Sequence, residues 1–144
     1  LSIRRQRQMC IRDRGYSTPL FSPTGGMKIS AKDLATYMMM HANYGKYNGV
    51  KIISKKSSKL MQTAASALEP YGFALEAPGS IINGQKLIGH TGFAYGLFSA
   101  MFFNPQEKYG IVVISNGCHP GETNGYNNVI RKTVNALYES LIAN

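Results

Sequence analysis

An α+β protein, an antiparallel sheet flanked by helices, is the fold class this sequence predicts. Three observations carry it: two capped helical segments come first, four strand-like runs separated by turn signals come next, and an amphipathic stretch closes the chain. With 144 residues, 44% of them hydrophobic and 10% aromatic, the chain is long enough for one core and short for two.

The first helix is marked by Ser30 with Asp33 three residues on. In such a capping box the serine side chain satisfies a free backbone donor and the carboxylate answers the helix dipole. Leu34, Tyr37, Met38 and His41 then share one face, and Met38 to Met40 read as core packing. After a turn-rich Asn43 to Gly49, Ser54 caps a second short helix through Leu60 and Met61, whose lysines read as a solvated face.

Tyr71 to Leu75 alternates like a strand, Asn83-Gly84 is a tight hairpin signal, and Lys86 to Thr91 is the next strand. Leu97 to Phe103 continues the pattern, Asn104 to Lys108 reverses the chain, and Tyr109 to Ser115 is dense in β-branched residues. An antiparallel meander results. From about Tyr126 to Ala143, Ile130, Val134, Leu137 and Leu141 form one helical stripe that should lie across that sheet.

The formal charge of +9 points toward an anionic partner until its distribution is considered. Residues 1–15 hold Arg4, Arg5, Arg7, Arg12 and Arg14 against Asp13, while the remainder is only mildly basic. This prefix shares neither composition nor periodicity with the rest of the chain, and it resembles the translated adapter sequence found at the ends of some metagenome-derived reading frames. Residues 1–15 are therefore read as a non-native prefix and 16–144 as the domain, with 16–29 an irregular loop. A basic nucleic-acid-binding arm and a solvated tail are the alternatives. Without the prefix, no nucleic acid is expected as a partner.

The longest apolar runs, Tyr37 to Met40 and Leu97 to Phe103, are far shorter than the roughly 18 to 20 residues a bilayer span requires. Cys10 and Cys118 define neither a disulfide framework nor a metal site, and no metal or organic cofactor is expected.

Chemistry is visible at Leu87-Ile88-Gly89-His90-Thr91-Gly92-Phe93, where an apolar strand ends in a titratable ring, a hydroxyl and a bare backbone. Gly92 admits close approach to the backbone, and the flanking strands hold the edge rigid. A histidine that does no more than hydrogen-bond at a strand end is the plainer reading of His90.

Around this tripeptide stand further motifs in order. Ser22-Pro23-Thr24-Gly25-Gly26-Met27 leads into Ser30-Ala31-Lys32-Asp33-Leu34-Ala35. Gly45-Lys46-Tyr47-Asn48-Gly49 comes next with Ile52-Ile53-Ser54, then Tyr71-Gly72-Phe73, and finally Asn104-Pro105 before Gly110-Ile111-Val112-Val113. On these motifs the chain from about Ser22 to Asn116 resembles the serine β-lactamase and penicillin-binding-protein superfamily, in particular its class C-like, esterase-like branch. That family uses S-x-x-K, Y-x-N or S-x-N, and K-T-G. The third appears here as H-T-G.

The resemblance implies a partial β-lactamase/transpeptidase-like fold and a catalytic contribution from His90, Thr91 and Phe93. His90 would orient substrate and tune the general base, Thr91 would hydrogen-bond to the substrate's acid or carbonyl group, and Gly92 would keep the edge open. The backbone N–H of Phe93 would be one oxyanion donor, a fixed dipole that needs no reorganisation during reaction. Histidine titrates near neutral pH where lysine stays charged, so an ester, amide or D-amino-acid peptide fits better than a β-lactam.

The other two motifs are not found in place. No serine is followed three positions later by lysine. Tyr126-Asn127-Asn128 matches Y-x-N only after the His-Thr-Gly strand, and is read as coincidence. Ser99 lies inside a strand without a nucleophile elbow, and His41 and His119 read as a helix-surface and a loop residue.

The resemblance thus implies the C-terminal fragment of a serine hydrolase, inactive alone, whose partners are a small-molecule or peptide substrate and the missing N-terminal half of its own fold. One sheet edge and one apolar face are expected to be exposed, with poor solubility. A periplasmic or extracellular bacterial location is implied in the same way. The alternatives are a non-catalytic binding module with a basic arm and a degenerate cell-wall-peptide binder.

Overall fold

The structure, a computed structural model, describes residues 28–94, 96–119 and 121–143. The prefix 1–15, nearly all of the loop expected over 16–29, and the Ser22 to Met27 motif lie outside the described residues.

Helix α1 spans Ala31–Ala42. Ser30 Oγ accepts from the Asp33 N–H at 3.1 Å, the expected cap, and donates to the Asp33 carboxylate at 2.7 Å. Two short strands, β1 (Lys46–Tyr47) and β2 (Val50–Lys51), form a hairpin where the sequence shows only turn signals. Helix α2, Lys55–Met61, begins at Ser54, whose Oγ accepts from the Ser57 N–H at 3.0 Å.

Four strands make the main sheet: β3 (Glu76–Gly79), β4 (Leu87–Ala94), β5 (Leu97–Asn104) and β6 (Tyr109–Asn116), antiparallel and in sequence order. The first of them corrects the sequence expectation. Tyr71 to Leu75 is a turn rather than a strand: Gly72 N–H bonds to the Leu75 carbonyl at 2.7 Å and Ala74 has φ of 63°. A Cβ at Gly72 would lie 2.2 Å from the Met61 carbonyl oxygen, so the chain is held tightly against the end of α2. Tyr71 makes one isolated bridge to Glu76, pairing with β4 starts at Glu76, and Pro78, which has no N–H to donate, occupies the sheet edge where that lack is tolerated.

Strand β5 runs through the centre of the protein, and its alternating side chains feed two cores. Phe98, Ala100 and Phe102 join Leu87 and Ile111 under the C-terminal helix α3 (Asn128–Leu141), whose Ile130 and Val134 are buried. Met101 and Phe103 pack with Met38 and Leu75 on the α1 side. Each fully buried large apolar side chain contributes on the order of 1.5–3 kcal/mol.

Helix α3 starts two residues later than the stripe suggested, because Tyr126–Asn127 forms β8, paired with β7 (Glu122–Thr123). Asn127 then caps the helix, accepting from the Val129 and Ile130 N–H groups at 3.0 and 3.3 Å. Leu137 packs partly against the core, whereas Leu141 at the end of the stripe is 75% exposed.

Candidate active site

The site residues arise from an incomplete pairing. Strand β4 is bonded to β5 from Ile88↔Phe103 to Ala94↔Leu97. On its other side β3 reaches only Leu87 and Gly89. From His90 to Ala94, β4 thus has one paired side and, among the described residues, one open side. A strand edge of this kind directs alternate N–H and C=O groups outward from a backbone held rigid by its inner neighbour.

The register separates the side chains. His90 stands across from Met101 and Gly92 from Ser99, which places them toward α1, whereas Thr91 pairs with Ala100 and Phe93 with Phe98, toward α3. His90 and Thr91 therefore share the edge but not a face. His90 lines a cleft of about 390 Å³ with Leu34, Tyr37, Leu75, Ser99 and Met101. Thr91 and Gly92 border this cleft and also a smaller hollow of about 50 Å³ reaching Phe93, Phe98 and Asn127.

His90 is exposed, its Nδ1 donates to the Thr91 carbonyl, and the Tyr71 ring meets it edge-on with centroids 5.7 Å apart. Burial and the nearby Glu76 charge push the Tyr71 phenol up. Sequence reasoning gave Tyr71 no role beside His90; the Tyr71-Gly72-Phe73 run was the available signal. Phe93 is 71% exposed with its ring against Phe98 at 4.7 Å. Its side chain is thus spread on the surface, and its backbone is the part built into the edge.

The remaining residues considered from the sequence fall elsewhere. Ser99 lines the cleft from the middle of β5, opposite Gly92, and no base is bonded to it among the described residues. His41 corrects its expectation as a surface residue: it is 1% exposed, with Tyr37 edge-on at 4.7 Å and Phe103 stacked at 6.4 Å. Neither of its ring nitrogens has a hydrogen-bond partner, and desolvation lowers its pKa. His119 is an exposed loop residue whose carbonyl accepts from Asn127 at 2.8 Å.

Tyr126, Asn127 and Asn128 are each occupied in holding the start of α3. The Tyr126 hydroxyl donates to Glu76 and accepts from the Ser80 N–H at 3.0 Å, Asn127 is the cap, and Asn128 accepts from Thr123 at 2.6 Å. Among the described residues no group of three or more His, Cys, Asp or Glu is placed to hold a metal ion, and no helix is long and apolar enough to cross a membrane.

The sheet carries His-Thr-Gly on the open side of its second strand and is packed between helices. A family model described as Beta-lactamase matches residues 3–135. The chain belongs to the β-lactamase family. Comparison with curated proteins and with solved structures gave no match.

Proposed function

We propose that the open edge of β4 is one wall of an acyl-transfer site in a serine hydrolase, and that this chain is the C-terminal part of its catalytic domain. The observation that carries the reading is the free side of β4 from His90 to Ala94 beside a cleft of substrate size. A substrate carbonyl or peptide laid along that edge meets backbone donors already fixed in place. The Phe93 N–H serves the developing oxyanion, Thr91 hydrogen-bonds the substrate, and Gly92 keeps the approach clear. Such a fixed donor is worth roughly 2.7 to 4 kcal/mol in the transition state.

The nucleophile comes from residues outside this chain, since no S-x-x-K occurs in it. Acylation and deacylation pass through a serine ester, with the serine hydroxyl adding to the carbonyl, the leaving group departing, and water then releasing the acid. The sheet edge opposite to β3 supports the same reading. Strand β6 has no partner on its outer side among the described residues, and a groove of about 550 Å³ lined by Met38, Tyr109, Ile111, Val112 and Leu137 runs beside it. Further strands and a helix would cover these apolar groups. With histidine at position 90, the substrate is an ester, an amide or a D-amino-acid peptide in preference to a β-lactam.

The direct test is to expose the purified chain to a fluorophosphonate probe and to p-nitrophenyl butyrate. The reading predicts no serine adduct and no hydrolysis above background. A stoichiometric adduct on Ser99 or any other serine of this chain would contradict it.

A further inference from the structure

The hairpin and helix that come after α1 carry a charge distribution the catalytic reading does not use. Between Asn43 and Gln62 there are five lysines, with no arginine, aspartate or glutamate. Folding gathers four of them, and one more from the β5–β6 turn, around a single ring. The Nζ atoms of Lys55, Lys59 and Lys108 lie 5.8, 5.7 and 5.3 Å from the centre of the Tyr44 ring. Lys46 and Lys51 are directly opposite one another in the β1–β2 hairpin and line a cleft of about 460 Å³ with Tyr44 and Lys55. A second cleft of about 220 Å³, lined by Tyr44, Lys59 and Gln62, adjoins it across that ring.

The requirements of the fold do not account for this gathering. Like charges placed directly across a strand pair are destabilising, and so are ammonium groups crowded around one ring beyond what cation–π attraction returns. Only Lys108 has a structural bond, donating to the Ala42 carbonyl at 3.0 Å at the end of α1. Among the described residues no carboxylate pairs with the other four. Tyr44 itself has φ of 53° because it closes α1: its N–H donates to the His41 carbonyl at 3.0 Å and the Gly45 N–H to the Met40 carbonyl at 2.9 Å, while Gly45 has φ of 90° with no room for a Cβ against the Ile53 carbonyl oxygen, so the ring is held in place at the end of the helix.

We infer that the Lys46–Lys51–Lys55–Lys59–Lys108 cluster around Tyr44 is a binding site for a ligand bearing two or more phosphate groups. One anion cannot answer four unpaired ammonium groups, whereas a compact polyanion neutralises the repulsion between them. Lysine without arginine favours phosphate, which accepts from point charges in many orientations, over the planar bidentate pairing that carboxylates make with guanidinium. The site is independent of the catalytic edge. Either a soluble polyphosphate or the headgroup of a multiply phosphorylated lipid supplies this chemistry.

The test is calorimetric titration of the 144-residue chain with sodium tripolyphosphate at about 50 mM salt, where charge contacts are weakly screened. The double variant Lys55→Gln/Lys59→Gln is compared with Lys86→Gln/Lys132→Gln, which removes the same charge from positions elsewhere on the chain. Binding should weaken by about 10-fold or more in the first variant and by less than about 2-fold in the second. No binding to the unaltered chain, or equal weakening in both variants, would overturn the site. Given binding, co-sedimentation with vesicles containing phosphatidylinositol bisphosphate, and not with phosphatidylcholine alone, assigns the ligand to a headgroup; failure to sediment assigns it to a soluble polyphosphate.

Discussion

Gly92 stands directly across the β4–β5 ladder from Ser99, and a Cβ built on Gly92 would lie 2.4 Å from the Ser99 hydroxyl oxygen but 3.8 Å from its Cβ. A side chain at position 92 therefore forces the Ser99 hydroxyl to turn out of its present rotamer, while the Ser99 Cβ stays at ordinary contact distance. Gly92→Ala should lower stability by about 0.5–1.5 kcal/mol, the cost of displacing that hydroxyl. Ser99→Ala in the same chain should restore most of that loss, because the two Cβ atoms then meet at ordinary contact distance. A double-mutant cycle by urea denaturation measures the coupling, and additive effects would show that the close approach is not the cause.

Phe102 is 1% exposed, and missing Cβ atoms on the neighbouring strands make room for one edge of its ring: a Cβ at Gly79 would lie 2.5 Å from its Cε1 and one at Gly89 2.6 Å from its Cδ1. These glycines on β3 and β4 form a slot that the ring fills. Phe102→Ala should cost about 3–5 kcal/mol, a large share of the stability of a domain this size. Denaturant midpoints at constant slope check it.

His41 makes stability depend on pH with a definite sign. Burial lowers its pKa in the folded chain below the ordinary value of 6.5, so the folded state holds the neutral ring while the unfolded state takes up a proton first. Stability is thus unaffected well above pH 6.5 and declines as pH falls from there through the lowered folded value. His41→Leu should flatten the fall in melting temperature between about pH 7 and pH 5. It should cost little at neutral pH, since neither ring nitrogen has a partner to lose. A decline of unchanged size in the variant would assign the effect to other groups.

Asn127 links two segments, capping α3 and donating to the His119 carbonyl at 2.8 Å. Asn127→Ala should cost about 1–2 kcal/mol, read by thermal melting, whereas Asn127→Asp, which keeps the cap oxygen but loses the donor to His119, should recover only part of it.

Most of this architecture was legible where side-chain period and end signals agree. Ser30 and Ser54 announced their helices by hydroxyl spacing, and β5 and β6 by runs of apolar and β-branched residues. Strand β3 was hidden because Pro78 and Gly79 argue against a strand, and the slot that Gly79 helps form for Phe102 appears only after folding. The β1–β2 hairpin is too short to show a period. Polarity concealed the burial of His41, although its place on the face of Leu34 and Met38 pointed inward. At the candidate site, the tripeptide was visible but not the division of its side chains between two faces, which the two-residue period of β4 imposes.

The proposed oxyanion contact is made by a backbone donor, and this distinguishes two substitutions at one position. In a protein that carries the nucleophile as well, Phe93→Ala should leave kcat nearly unchanged because the exposed ring does no chemistry. Phe93→Pro, which removes the N–H on an open edge where proline is tolerated, should lower kcat by about 10²- to 10³-fold. Similar losses in both would assign the contribution to the ring.

Whether this chain is the C-terminal part of a serine hydrolase is decided by sequencing the source DNA upstream of Tyr16. A C-terminal part requires a reading frame that continues into a longer chain carrying S-x-x-K and then Y-x-N before residue 16. A native gene that begins with the arginine-rich prefix would refute the proposal, leaving a β-lactamase-family chain without a nucleophile.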